Sequence, residues 1–178
     1  MRNRLAVSLA SALFLWAASC MPAAAESGGA SLGPFEVLGG GTHYLDVGAG
    51  YFNVRNHFDK RSPAGRIELR IGKKIAFVGP AAGLVANDDG ARYGYTGIYA
   101  DFAYGNFVLT PLLAIGAYHR GNSVDLGGPF EFRESLELAY RLGGRFRAGI
   151  SLAHISNANL YRVNPGQQDL LLTLAIGF

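Results

Sequence analysis

The chain has 178 residues, 25 of them Gly, with 49% hydrophobic residues, only 16% charged residues and a formal net charge of +3. That length supports one domain with a core that needs neither disulfide nor metal. So low a charged fraction excludes a disordered tail protein, and a small, evenly spread positive charge excludes a nucleic-acid binder. At the N-terminus Arg2 and Arg4 precede an apolar run from Leu5 to Ala18, and Ala23-Ala24-Ala25 offers a small-residue cleavage site. This pattern predicts a signal peptide over residues 1–25, removed on export, because the run is too short to span a bilayer. Cleavage takes away Arg2 and Arg4 and no acid, lowering the charge from +3 to +1, and also removes Cys20, the one cysteine. A Cys-free exported chain is neither a disulfide scaffold nor a thiolate metal site. The competing reading, a lipidated Cys20 after Ala18-Ser19, is disfavoured by Ala17 where a Leu is usual.

Residues 26–178 carry no helical i, i+3, i+4, i+7 pattern over three turns. Runs of roughly 10–13 residues with period-2 texture alternate with Gly, Pro, Asn and Asp clusters. Eight strands are predicted, at 42–53, 64–72, 75–86, 91–104, 106–119, 130–142, 145–156 and 168–178. An even number of strands of that length predicts an all-β fold, an eight-stranded antiparallel up-and-down barrel. In the second run Ile67, Leu69 and Ile71 alternate with Arg66, Glu68 and Arg70. The sixth alternates Phe130, Phe132, Leu136, Leu138, Tyr140 and Leu142 with Glu131, Arg133, Ser135, Glu137, Ala139 and Arg141. A lipocalin-like barrel would turn the apolar set inward, whereas a small transmembrane barrel turns it to lipid and fills its interior with polar side chains. The signal peptide, the alternating last strand ending on Phe178, and the lack of any Cys or metal set to stabilise a soluble form favour the transmembrane barrel. Arg66, Glu68, Arg70, Glu131, Arg133, Glu137, Arg141 and Arg147 would then pair inside, with no open pore in so narrow a barrel. A final strand ending in an aromatic resembles the signal read by the outer-membrane barrel assembly machinery. Tyr93, Tyr95 and Tyr99 are expected as interfacial aromatics.

Polar chemistry concentrates near the C-terminus. Phe146, Ala148, Ile150, Leu152, His154 and Ser156 share one parity, so His154 and Ser156 fall on the lipid-facing side. An imidazole two residues from a hydroxyl is the nucleophile–base pair of acyl transfer, and Asn157 follows with an amide donor for an oxyanion. On the residues alone, a polar strand end at the membrane surface is the favoured reading of His154-Ile155-Ser156-Asn157. His43, His57 and His119 show no metal spacing. Asn87-Asp88-Asp89-Gly90 has oxygen ligands suited to calcium but reads first as a turn.

His154-Ile155-Ser156-Asn157-Ala158, Asn164-Pro165-Gly166 and a last strand ending at Phe178 together resemble the lipid A 3-O-deacylases (PagL type) of the Gram-negative outer membrane. Phe130-Glu131-Phe132-Arg133 and Tyr118-His119-Arg120-Gly121 add to the likeness. The resemblance implies an esterase in the cell outer membrane whose site faces lipid and removes the 3-O-linked acyl chain of lipid A, within lipopolysaccharide. It implies Ser156 as nucleophile, His154 as general base and acid, Asn157 in the oxyanion hole, and neither cofactor nor metal. Nucleic acid is not an expected partner, and a homodimer is admissible. One departure stands out: the family places a Glu fourteen residues after the His, and here that position is Gln168. A Gln oxygen accepts from an imidazole N–H but brings no charge, a change that costs about 10²–10⁴ in turnover by analogy with serine proteases. Two acids are candidates to compensate. Asp169 is adjacent, but faces inward unless a bulge shifts the register. Glu134 is outward, and a three-residue turn at Gly143–Arg145 would set it opposite His154. The alternatives to an active esterase are a weakened or inactive relative that binds lipopolysaccharide, and a structural barrel.

Overall fold

The computed structural model describes residues 29–55 and 61–178. The predicted signal peptide, Cys20 and His57 lie outside the described residues. Eleven strands run β1 (Ala30–Leu32), β2 (Phe35–Val37), β3 (Tyr44–Phe52), β4 (Ser62–Arg70), β5 (Gly79–Asn87), β6 (Arg92–Tyr99), β7 (Phe102–Tyr104), β8 (Phe107–His119), β9 (Phe130–Gly143), β10 (Phe146–Ser156) and β11 (Gln167–Gly177). Eight of them close a barrel in the order β3-β4-β5-β6-β8-β9-β10-β11, every neighbour antiparallel, with β11 pairing back onto β3. The closing seam runs from Tyr44↔Gly177 to Phe52↔Asp169, and His43 and Phe178 exchange backbone hydrogen bonds beneath it. β7 continues β6 beyond Asp101, and the β1–β2 hairpin adds to it as a short flap at the foot of β8.

Two elements depart from the sequence expectation. The strand expected to start at residue 75 starts at Gly79, because Ile75 and Val78 bridge across a tight reversal with Ala76 and Phe77 both at positive φ (50° and 72°). That two-residue turn is normally made by Asn-Gly or Gly-Gly, so apolar residues in it leave no local signal. The second departure is a correction. Tyr93, Tyr95 and Tyr99 are not interfacial; they are buried inside the barrel, because Gly94, Thr96 and Ile98 hold the outward parity of β6. Gly83 and Gly116 make room for them: a Cβ at Gly83 would lie 2.5 Å from the Tyr95 ring, and one at Gly116 2.8 Å from that of Tyr93.

The lumen is filled by ion pairs. Arg70 grips Glu137 with two nitrogens (2.9 and 3.0 Å) and Glu68 with Nε (2.7 Å), while Arg66 bonds Asp46, Glu137 (2.9 Å) and Ser151 (3.0 Å). Arg133 pairs Asp169 at 2.6 Å, and Arg147 and Lys74 converge on Asp101 at 3.4 and 2.9 Å. The expected network is therefore present at Arg66, Glu68, Arg70, Arg133, Glu137 and Arg147, whereas the buried carboxylate of Glu131 has no hydrogen-bond partner among the described residues. Removing one member of a buried pair leaves an uncompensated charge, at a cost of about 3–5 kcal/mol. Glu137→Ala should accordingly lower the denaturant midpoint of the detergent-refolded barrel strongly, while Leu138→Ala on the outer face should shift it little.

Outside, Ile67, Leu84, Ile98, Leu113, Leu136, Leu138, Ile150, Leu152 and Leu172 are all exposed and form a continuous apolar belt. A belt on the outside and charge on the inside make this a transmembrane barrel. Phe107 and Tyr140 pack edge to face at 5.2 Å near the short-turn end, where both ends of the barrel chain lie. The longer connections 120–129 and 157–166 lie together at the other end.

Candidate active site

The site stands where β10 runs into these longer connections. β9 and β10 are joined through Gly143 and Gly144, both at positive φ (99° and 54°), and a bulge at Phe146/Arg147 follows. The resulting register pairs His154 with Glu134 on β9 and, on the other side, with Gln168 on β11. Period 2 then turns His154 and Ser156 outward, both half-buried, and Ala153 and Ile155 inward. Gln168 faces outward beside them, its amide Nε2 3.0 Å from His154 Nδ1, while its Oε1 is buried without a hydrogen-bond partner. Turning that amide over would place the carbonyl on Nδ1 and satisfy the oxygen, since both orientations fit the same heavy-atom positions. Among the described residues no hydrogen bond joins Ser156 to His154.

The loops beside the pair are tied together by Asn157. Its side-chain NH2 donates to Leu126 O in the β8–β9 loop and to Val163 O (2.9 Å), and its backbone N–H donates to Asn164 Oδ1 (3.1 Å). The oxyanion role expected of the Asn157 amide therefore meets a competing duty, because inward parity commits both its hydrogens to carbonyls. The turn it opens is closed by Leu160 N–H on Asn157 O (2.9 Å), with Ala158 and Asn159 at positive φ. Gly127 touches the same cluster: a Cβ there would lie 2.1 Å from Val163 O. Asp125 anchors that loop by accepting from Gly127 N–H (2.9 Å) and pairing with Arg120 (2.9 Å). The Gly127 N–H, then Arg120, hold its carboxyl below the ordinary carboxylate range.

Sequence reasoning missed the role of Gly166. It sits at φ +61° directly against the imidazole, where an added Cβ would lie 2.7 Å from His154 Cε1. The Asn164-Pro165-Gly166 motif thus braces the site twice, through Asn164 on Asn157 and Gly166 on His154. Arg55, also unforeseen, lines a groove of about 480 Å³ together with Glu134, His154 and Gln168.

The two acids that could replace the missing Glu fare differently. Asp169 is excluded: β11 pairs without a bulge from Gln167 onward, which turns Asp169 into the lumen, fully buried on Arg133. Glu134 lies exposed on the outer face. Of the other histidines, His43 Nδ1 accepts from Gly72 N–H (3.3 Å) and its ring stacks on Phe178, and His119 ends β8. Asn87-Asp88-Asp89-Gly90 is a turn, with Asn87 Oδ1 accepting from Ala91 N–H at 2.8 Å.

Known proteins share this architecture. The family model described as Lipid A 3-O-deacylase (PagL) matches residues 34–176. The crystal structure of the outer membrane enzyme PagL superposes with a TM-score of 0.59 at 16% identity, over 75% of this chain and 98% of that one. A de novo designed transmembrane β-barrel gives 0.54 at 12% identity, over 78% and 97%. The Yersinia pestis outer membrane protein Ail in a phospholipid bilayer nanodisc gives 0.50 at 14% identity, over 77% and 99%. At such identities the structural likeness is one of fold. No curated protein matches the chain.

Proposed function

The chain belongs to the lipid A 3-O-deacylase (PagL) family, and from that premise we propose that it is an outer-membrane esterase hydrolysing the 3-O-linked acyl chain of lipid A. The observation that carries the reading is the outward, lipid-facing placement of Ser156 and His154, with Gln168 on the imidazole's second nitrogen. The substrate's acyl chains stay in the bilayer, so a site on the outer wall meets the ester without extracting the lipid. The position at the long-loop end supports the same reading, since longer loops of such barrels face the cell exterior, on the side of the lipopolysaccharide leaflet.

In this mechanism Ser156 Oγ attacks the acyl carbonyl while His154 Nε2 takes its proton. That requires the proton of the neutral ring to sit on Nδ1, which the Gln168 carbonyl enforces once the amide is turned toward it. The Ser156–His154 hydrogen bond this step needs forms as the ester docks. Backbone N–H groups of Ala158 and Asn159 meet the oxyanion, because those of Asn157 and Leu160 are spent on Asn164 Oδ1 and Asn157 O; the Asn157 side chain joins them only by releasing Leu126 O or Val163 O. His154 then protonates the leaving 3-hydroxyl of the sugar, and a water activated by the same ring frees the fatty acid from Ser156. Export by the signal peptide and recognition of β11 by the barrel assembly machinery belong to the same proposal.

The neutral Gln168 favours a second reading, a relative that binds lipopolysaccharide with little or no turnover. Mass spectrometry of lipid A separates the two. A Gram-negative host lacking such an activity should lose one 3-hydroxyacyl mass on expressing the protein and not with empty vector. Unchanged lipid A, with a heat-modifiable barrel present in the outer membrane, overturns the esterase reading in favour of the second.

A further inference from the structure

Glu134 is the one acid facing outward on the eight barrel strands among the described residues; Asp46, Glu68, Glu131, Glu137 and Asp169 all point into the lumen. It stands on an apolar wall, with Phe132 and Leu136 two residues away on its own strand and Leu113 opposite it on β8. A carboxylate on the lipid side of a transmembrane barrel is unfavourable, and ionisable groups so placed are retained for function. No hydrogen bond or ion pair of the described residues uses the Glu134 carboxylate, and Arg55 lines the same groove without bonding to it, whereas the other barrel-strand acids, Glu131 excepted, are paired inside.

Its neighbour on the opposite side is His154. The two are direct cross-strand partners on one face, a relation that sets Cβ atoms about 4.5–5.5 Å apart, and both line the groove that holds Gln168. The row across the wall is therefore Leu113, Glu134, His154, Gln168. A second groove of about 550 Å³, lined by Ile98, Leu113, Ile115 and Phe132, reaches Glu134 from the other side, so the carboxylate stands between two apolar clefts. Attraction between a carboxylate and an imidazolium at such separations is large wherever lipid replaces water.

We propose that Glu134 supplies the negative charge that Gln168 lacks, so that two side chains together replace the one acid. Gln168 orients the imidazole through Nδ1, and Glu134 stabilises its protonated form from the neighbouring strand. Glu134 is a positioning and charge-compensating residue, acting through His154. The inference rests on the Ser156–His154 esterase reading, and its test has a readout independent of lipid A.

That readout is the rate at which a long-chain alkyl fluorophosphonate labels Ser156 in the folded, detergent-solubilised full chain, with lipid A deacylation assayed in parallel. Native protein, E134Q, Q168E, the E134Q/Q168E double variant and, as blank, S156A are compared. Glu134→Gln is isosteric on an exposed face, and heat-modifiable migration confirms the fold of each variant. E134Q is expected to slow labelling by about 10- to 100-fold. Q168E in the E134Q background is expected to return the rate to within about threefold of native, because charge restored at Nδ1 makes Glu134 dispensable. In the native background Q168E should raise it by no more than about tenfold. Labelling that responds in this way without cleavage of lipid A leaves Glu134 in its role and removes lipid A as substrate. Native-rate labelling of E134Q, a loss that Q168E does not repair, or native labelling no faster than S156A overturns the proposal.

Discussion

Replacing Ser156 by Ala is expected to leave the barrel intact and the lipid A of its host fully acylated. The hydroxyl is half-buried on the outer wall and makes no hydrogen bond among the described residues, so its loss should change stability by no more than about 0.5 kcal/mol. Its chemical weight is far larger. A complete triad of nucleophile, base and acid contributes about 10⁶ in turnover, and an amide in place of the acid forfeits about 10²–10⁴ of that. With no replacement charge, about 10²–10⁴ remains for the Ser156–His154 pair; a charge from Glu134 raises that figure, and Ser156→Ala should remove all of it. The measurement is twofold: the 3-hydroxyacyl mass lost with native protein is retained with the variant, while heat-modifiable migration and the denaturant midpoint stay unchanged. Deacylation that survives Ser156→Ala would transfer the chemistry to another nucleophile.

Gly166→Ala is expected to act almost as severely, although it adds a single methyl group and touches neither the nucleophile nor the base chemically. Gly166 occupies φ +61°, where an L side chain costs about 1–2 kcal/mol. The new Cβ would also stand 2.7 Å from His154 Cε1, so the imidazole must move. It cannot shift freely, because Gln168 holds its Nδ1 from the adjacent strand at 3.0 Å. A displacement of about 1 Å at a reacting group is worth about 10² in rate. The expected outcome is a drop of that order in kcat, with a barrel that still assembles and migrates as folded. Gly105→Ala is the matched control: it carries the same backbone strain at φ +56° in the distant β7–β8 turn, with nothing within 4 Å of the added Cβ, and should leave activity unchanged. Full activity in Gly166→Ala would show that the loop, rather than the imidazole, yields.

The strands and their faces were legible because alternation is local. Ile67, Leu69, Arg66 and Arg70 declare two sides of β4 whatever they pack against, and the predicted ranges for β8, β9 and β10 agree with the observed ones to within a residue or so. The β9–β10 register was legible although its turn was not: the strands are joined by Gly144 and Arg145 alone, and the bulge at Phe146/Arg147 restores the register a three-residue turn would give, so Glu134 falls opposite His154. Turns without glycine were not legible, as at Ala76-Phe77, where residues with strand-like side chains adopt left-handed backbone. Nor was the side taken by β6, since amphipathic Tyr holds one parity and Gly94, Thr96 and Ile98 the other, which sets no clear apolar preference, and only closure of the barrel sends Tyr93, Tyr95 and Tyr99 inward.

Eight long strands, two faces of opposite character, and the shared parity of His154, Ser156, Gln168 and Glu134 with the apolar set follow from the period of the extended backbone and the lengths of the runs. Which face turns to lipid does not follow from the period; the predicted export signal and the terminal Phe178 argued for the apolar one. The folded barrel settled which of those residues serve the imidazole. It took Asp169 into the lumen on Arg133, spent the Asn157 amide on Leu126 and Val163, and set Gly166 beneath the ring. The reason is that pairing across a long loop such as 157–166, and the competition of one buried amide for several carbonyls, are settled by groups distant in sequence. No local period carries that information.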